Sequence, residues 1–403
     1  MPNNITSIKA EQITDSRGNP TLSVAVLVGP AQGSFSVPSG SSTGSHEAVE
    51  LRDPGAKTVN AAIANVREII APALIGMNAT DQAAIDQIML ELDGTPQKSR
   101  LGGNAMIGVS IAVAKAAAAA QGVEPYQHLR TLRVMEPSRR VPRLFMNVIN
   151  GGKHAATGLA FQEYHIIPET DNVAEAIQIG SKFMDALDVY ANRRFPGAYA
   201  VGDEGGLALP LEDVAEPLRM MRDIARSETI NTTRFGLDVA ASSFWTDERY
   251  VCGGSKLTAD EFLKLLTSLA SEYNLLNIED PFHEEAFESF AALRKTPNAP
   301  LIVGDDLTVT NSARLEEAVK QESISGVIIK PNQVGTLTET IDTMEYARKN
   351  GIHCIVSHRS GETMDDFIAD LAFAFGAYGL KTGVPRQPER IAKLKRLQRI
   401  SAQ

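Results

Sequence analysis

The strongest constraint on the fold is a recurrence in the last 170 or so residues. Six apolar runs follow one another there: FGLDVA (235–240), LLNIEDPF (275–282), LIVGDD (301–306), GVIIKPN (326–332), HCIVSH (353–358) and GLKTG (379–383). Each carries a charged or polar residue at or near its end, and a helix-like stretch precedes most of the next ones. The residues Asp238, Glu279, Asp305, Lys330, His358 and Lys381 are separated in turn by 41, 26, 25, 28 and 23 positions. A spacing near 25 is about what one strand–helix unit needs in an eight-unit barrel of roughly 250 residues. Residues 142–403 provide that length. In such barrels the chemistry sits at the C-terminal strand ends, where these six side chains would lie. A doubly wound open sheet also alternates strand and helix, but no glycine-rich phosphate fingerprint follows the first strand.

The chain has 403 residues, enough for the barrel and an appended unit. Residues 5–14 and 21–37 read as strands joined by the turn DSRGNP, and helical periodicity runs from about 57 to 130. This predicts an N-terminal α+β cap at 1–131, a polar, proline-containing linker at 132–141 and the barrel at 142–403. The Ala-rich stretch from Ala105 to Ala120 contains Ser110 and Lys115 and is followed by Gly122. It reads as a buried helix rather than a membrane span. The opening MPNNITSIKA lacks a signal-peptide profile. Two widely spaced cysteines suit a reducing compartment, and the expected location is the cytoplasm. A net charge of −10 argues against nucleic acid or an anionic membrane as the main partner, while leaving room for a small anion held by a local cationic cluster.

On neighbouring strand ends, Asp238, Glu279 and Asp305 would converge, and three buried carboxylates cannot all stay ionised without a cation. All-oxygen ligation suits Mg²⁺. Lys330, beside that cation and a second lysine, Lys381, is expected to have a depressed pKa and to act as a base towards carbon next to a carboxylate. Concentrated positive charge would make the resulting dianion accessible.

Three other segments carry candidates. In SHRSGE (357–362), Arg359 offers a planar fork for phosphate and Ser360 sits in the same turn, with a following helix N-terminus expected to add positive field. VGDEGG (201–206) carries Glu204, and Glu163 in FQE is a second acid. Paired, they could keep one carboxyl protonated. NGGKHA (150–155) and SGSSTG (39–44) are loops of small residues carrying His154 and Ser42. The basic run RIAKLKRLQR (390–399) reads as the solvated face of a terminal helix.

These residues and the segments DSRGNPT, VPSGSSTGSHEAVELRD, GGNAMIGVSIAVAKAAA, NVINGGKHA, VGDEGG, IEDPF, GDDLTVTN, IIKPNQVGTLTET, SHRSGET and LKTG, taken in order, resemble the enolase family over essentially the whole chain. The resemblance implies an α+β cap on a (β/α)₈-like barrel with an irregular ββαα start. It also implies Mg²⁺-dependent, reversible dehydration of 2-phosphoglycerate to phosphoenolpyruvate in glycolysis, with a Lys base beside Mg²⁺ as in enolase-superfamily sites generally. By residue, it implies a first Mg²⁺ on Asp238, Glu279 and Asp305, and a second bound with the help of Ser42. Lys330 would be the base at C2. Glu204, with Glu163 beside it, would be the acid at the C3 hydroxyl. Lys381 would hold the substrate carboxylate, Arg359 and Ser360 the phosphate, and His358 and His154 would complete the closed site. A homo-oligomer, dimer or octamer, is the implied assembly. The chain departs from the family pattern at Ser243 and Ser23, where acidic residues are usual, and at Leu144, which stands where proline is usual. Ser23 falls where the family commonly forms a subunit contact. These departures motivate an alternative, an enolase-like paralogue acting on a phosphonate or another phosphorylated hydroxy acid. A catalytically retired scaffold is a third reading, though no expected functional residue type is missing.

Overall fold

The computed structural model describes residues 3–40, 44–55, 57–230 and 232–403. The cap opens with three antiparallel strands, Ile5–Thr14, Pro20–Val28 and Ala31–Ser36, paired in chain order. The side chain of Asp15 shapes the first turn, accepting from the amides of Arg17 and Asn19. The sequence reading of 21–37 as one strand is corrected. The chain folds back at Gly29 and Pro30, so that Val28 pairs with Ala31, and Gly29 supplies the positive φ of +57° that the two-residue turn requires.

Leu22, Val24, Val26 and Val28 alternate onto the buried face of this sheet. They pack against the helix Gly103–Gln121, whose opposite side meets the barrel segments Pro331–Val334 and Leu337–Lys349. By length and composition this helix could cross a membrane, yet 83% of its most apolar window is enclosed within the protein. Two glycines let backbones approach closely here. A Cβ at Gly33 would fall 2.1 Å from the Ala116 nitrogen, and one at Gly108 would fall 2.8 Å from Val24.

Eight strands close the barrel: Arg143–Asn150, Glu163–Pro168, Thr233–Asp238, Asn277–Glu279, Leu301–Gly304, Gly326–Ile329, His353–Ser357 and Gly379–Lys381. They pair in that order, and the last pairs in parallel with the first. All six late apolar runs become strands. The second strand is reversed, antiparallel to both neighbours, which gives the barrel its irregular start. Phe145, Ile167, Val303, Ile328 and Ile355 form one buried interior cluster.

Many polar contacts fix the cap to the barrel, among them those of Asp86 and of Ser39. Asp86, fully buried in the cap, accepts from the amide and hydroxyl of Thr338, at the start of the barrel helix Leu337–Lys349. Ser39 and Gly361 exchange backbone hydrogen bonds of 2.8 and 2.9 Å. The C-terminal helix Pro388–Ser401 corrects the reading of a solvated basic face for three of its five cations, while Lys395 and Arg399 are exposed. Arg390, Lys393 and Arg396 are 0%, 1% and 4% exposed, because successive helical turns point them under the 358–366 loop and at Asp370.

Candidate active site

The rim at the C-terminal strand ends gathers the charge. Asp238, Glu279 and Lys381 are the last residues of their strands, and Asp305, Lys330 and His358 each follow the end of one. Glu279 stands in register with Asp238. Glu163 reaches the same rim for the opposite reason. It is the first residue of the reversed strand, placed opposite Asp238 on one side and Asn150 on the other. Glu204 comes from the 202–206 loop and accepts a 3.0 Å hydrogen bond from the Asn147 side chain.

Lys381 is the hub of this cluster. Its Nζ lies 2.9 Å from Asp238 Oδ2, 2.8 Å from Glu279 Oε1 and 3.3 Å from Glu163 Oε2, all out of solvent. Burial opposes ionisation of Asp238, but the charge and hydrogen bond of Lys381, with a smaller contribution from Lys330, together bring the carboxyl down to about 2. Glu279 goes the other way, pushed well above the carboxylate range by burial and then by the charge of Asp238. Lys330 donates to Asp305, whose other oxygen accepts from Gln333 at 2.9 Å. The expected depression of the Lys330 pKa is corrected. Burial does press it down, but the adjacent Asp305 carboxylate lifts it above its ordinary value.

Glu163, Glu204 and His154 form a second cluster, with a ligand atom from each within 4.8 Å of the others. Burial, then the charge of Glu204, raises the Glu163 carboxyl to about 8. Burial also disfavours ionised Glu204, yet His358, His154 and Arg390 hold it well below the usual range. In this state the pair therefore holds a proton on the Glu163 side. Behind Glu163 lies fully buried His165, with Nε2 2.8 Å from Glu163 Oε2. Burial pushes this ring down to about 3, so it stays neutral.

On the side facing the cap, the Arg359 guanidinium is gripped by Glu47, with Nη1 2.9 Å from Oε2 and Nη2 3.3 Å from Oε1. Asn332 Oδ1 accepts from the same Nη1 at 3.0 Å. The Ser360 hydroxyl accepts from Arg17 at 3.4 Å. The expected helix N-terminus is absent from this turn, because the next helix begins only at Phe367. The cationic field comes instead from Arg359, Arg17 and Arg390. Ser42 lies outside the described residues.

The donor chemistry fits a hard divalent cation. Asp238, Glu279 and Asp305 present only oxygen, and burial followed by the charge of Asp238 raises the Glu279 carboxyl, so a cation beside it would favour the ionised form. Their oxygens are drawn towards the two lysine amines, and among the described residues the tighter acidic group is Asp280, Asp305 and Asp306.

Nothing in the sequence marks His165, while Asn147 and Gln333 lay inside quoted motifs, and Arg390 inside the basic run, with no role assigned. Glu47 lay inside a quoted motif without a role. Only Glu47 had a local cue, an acid close behind the SGSSTG loop.

Comparison with known proteins covers nearly the whole chain. Residues 5–129 match the family model described as the enolase N-terminal domain, and residues 138–403 match the enolase C-terminal TIM barrel domain. A protein from Methanocaldococcus jannaschii named enolase is 45% identical over 404 residues, covering 98% of this chain and 94% of its own. Proteins of the same name from Methanopyrus kandleri and Thermococcus gammatolerans are each 44% identical. They cover 98% and 99% of this chain, and 95% of their own length in both cases.

Proposed function

This chain belongs to the enolase family and is a hydro-lyase, a phosphopyruvate hydratase, and we propose how its residues divide the conversion of 2-phosphoglycerate to phosphoenolpyruvate. The observation that carries the assignment is the placement of Lys330 and Lys381 in bonding contact with Asp305, Asp238 and Glu279 at successive strand ends.

Lys330 takes the C2 proton, and the electron pair moves into the substrate carboxyl group to form an ene-diolate. Lys381 pairs with that carboxylate and with the second negative charge as it develops. The Glu163–Glu204 pair, holding one proton between two carboxyls, supplies it through Glu204 to the departing C3 hydroxyl, which leaves as water. Arg359 and Ser360 bind the phosphate, and His154 and His358 close the site around it. A divalent cation, which we take to be Mg²⁺, would be held by Asp238, Glu279 and Asp305 and would supply Lewis-acid stabilisation of the carboxylate. A second Mg²⁺ would involve Ser42. Asp305, engaged by the first cation, would no longer hold the Lys330 amine in its protonated form.

Further parts of the reading are a cap of residues 1–131, a linker at 132–141, a barrel at 142–403, a homo-oligomeric assembly and a cytoplasmic location. Ser243 is exposed, while Ser23 and Leu144 lie on a cap strand and on the barrel wall. None of these departures is a rim residue, and a different phosphorylated acid is not favoured. The test is the absorbance of phosphoenolpyruvate formed from 2-phosphoglycerate with and without Mg²⁺. Metal-dependent turnover is expected, and inactivity of folded protein with metal present overturns the reading.

A further inference from the structure

Arg390 is the largest fully buried side chain among the described residues and stands in the C-terminal helix, outside the barrel rim. Its guanidinium reaches two active-site loops at once. Nη1 lies 2.6 Å from Nδ1 of His358 and 2.8 Å from the carbonyl oxygen of Arg359. Nη2 lies 2.8 Å from the carbonyl oxygen of Ser360 and 3.1 Å from that of Asp203. One side chain thus ties the loop bearing His358, Arg359 and Ser360 to the loop bearing Glu204.

The contact with His358 decides more than position. A guanidinium has donors only and stays charged. Nδ1 of His358 must therefore accept, so its lone pair is occupied and the ring proton resides on Nε2. Among the described residues, His358 Nε2 has no well-aligned hydrogen-bond partner, and Glu204 Oε1 lies 3.3 Å away. A second proton on the ring would have to displace the Arg390 bond.

We propose that Arg390 is a positioning residue that locks His358 as the neutral Nε2–H tautomer, directing a permanent donor at Glu204 and the reaction cavity. This inference rests on the assignment of Glu204 to the proton-donating pair. The groups facing His358 agree with a neutral ring. Arg390 faces it from the C-terminal helix and Glu204 from the 202–206 loop, while Glu362 in its own loop is neutralised by Lys393 at 2.8 Å. From the neighbouring strand, the carbonyl of Lys381 accepts the His358 amide at 2.9 Å. Burial and Arg390 together push the ring down to about 4.

The experiment is nitrogen NMR of protein carrying ¹⁵N-histidine, with the His358 signals identified by their loss in His358→Asn. In the parent, His358 should show a protonated Nε2 and an unprotonated Nδ1, unchanged between pH 5.5 and 9. In Arg390→Gln, the acceptor role of Nδ1 is no longer fixed, and the ring should take up its second proton at a higher pH than in the parent. The profile of kcat should gain an acid limb at that pH, and kcat at its optimum should fall about 10- to 100-fold with a smaller change in KM. Arg390→Lys, which keeps the charge with a single donor group, should recover part of kcat.

A protonated Nδ1 in the parent, or a parent ring that titrates near neutrality, overturns the proposal without Arg390→Gln needing to fold. A folded Arg390→Gln enzyme with parental kcat and pH profile overturns it as well. Inactivity of the parent on 2-phosphoglycerate would instead overturn the substrate assignment and leave the tautomer result standing.

Discussion

Lys381 and Asp238 meet across two strands that are not neighbours in the barrel, with Nζ 2.9 Å from Oδ2, and the same amine reaches Glu279 at 2.8 Å. One ammonium group therefore offsets the mutual repulsion of carboxylates that no solvent reaches.

Lys381→Met should uncover that repulsion. Removing one partner from a buried ionic cluster costs about 3–5 kcal/mol. In chelator the variant should melt well below the parent, and Mg²⁺ should restore more stability to the variant than to the parent. Thermal melts with EDTA and with MgCl₂ make the comparison, and equal metal responses would contradict it.

Lys330→Ala removes the proposed base while leaving the Asp238–Lys381–Glu279 contacts in place. Turnover should fall by several orders of magnitude, with Mg²⁺ binding by calorimetry largely kept. A variant turning over near the parental rate would remove Lys330 from the role of base.

Glu163 gives a pH signature in the metal-free protein. Its carboxyl is raised from 4.5 to about 8, so the folded state binds the proton more tightly than the unfolded chain. That contribution to stability is fully present below about pH 4.5 and is lost as the pH rises through about 8. Glu163→Gln, which mimics the protonated form, should flatten the decline in melting temperature across that window. Parallel curves for variant and parent would place the proton elsewhere.

Gly33→Ala should destabilise the cap without touching the site. The added Cβ would meet the backbone of the helix Gly103–Gln121 at 2.1 Å from Ala116 N and 2.4 Å from Ala112 O. Helix and sheet must then separate, at a cost of about 1–3 kcal/mol. Urea unfolding monitors the loss, and unchanged stability would show that the cap yields easily.

The barrel was legible in the sequence because strands buried on both faces read as apolar runs, and a charge at their ends is conspicuous against them. Asp238, Glu279, Asp305, Lys330 and Lys381 stood out for that reason. The route of Glu163 to the rim did not. It depends on the reversal of one strand, which the residues of FQE do not announce. Arg390, Lys393 and Arg396 were misread because a stripe of charge on a helix looks the same whether it faces water or a set of buried carbonyls. His165, between apolar neighbours on the reversed strand, carried no mark of its contact with Glu163. Gly29 marked a break inside 21–37 that strong β propensity on both sides concealed.

The paired backbone bonds between Ser39 and Gly361 lie beside the turn proposed to bind phosphate, where Arg359 also grips Glu47. Cap and barrel are sewn together at the mouth of the cavity. Swinging the whole cap aside would break this seam, so any opening by movement of the cap as a unit meets its resistance at the doorway itself.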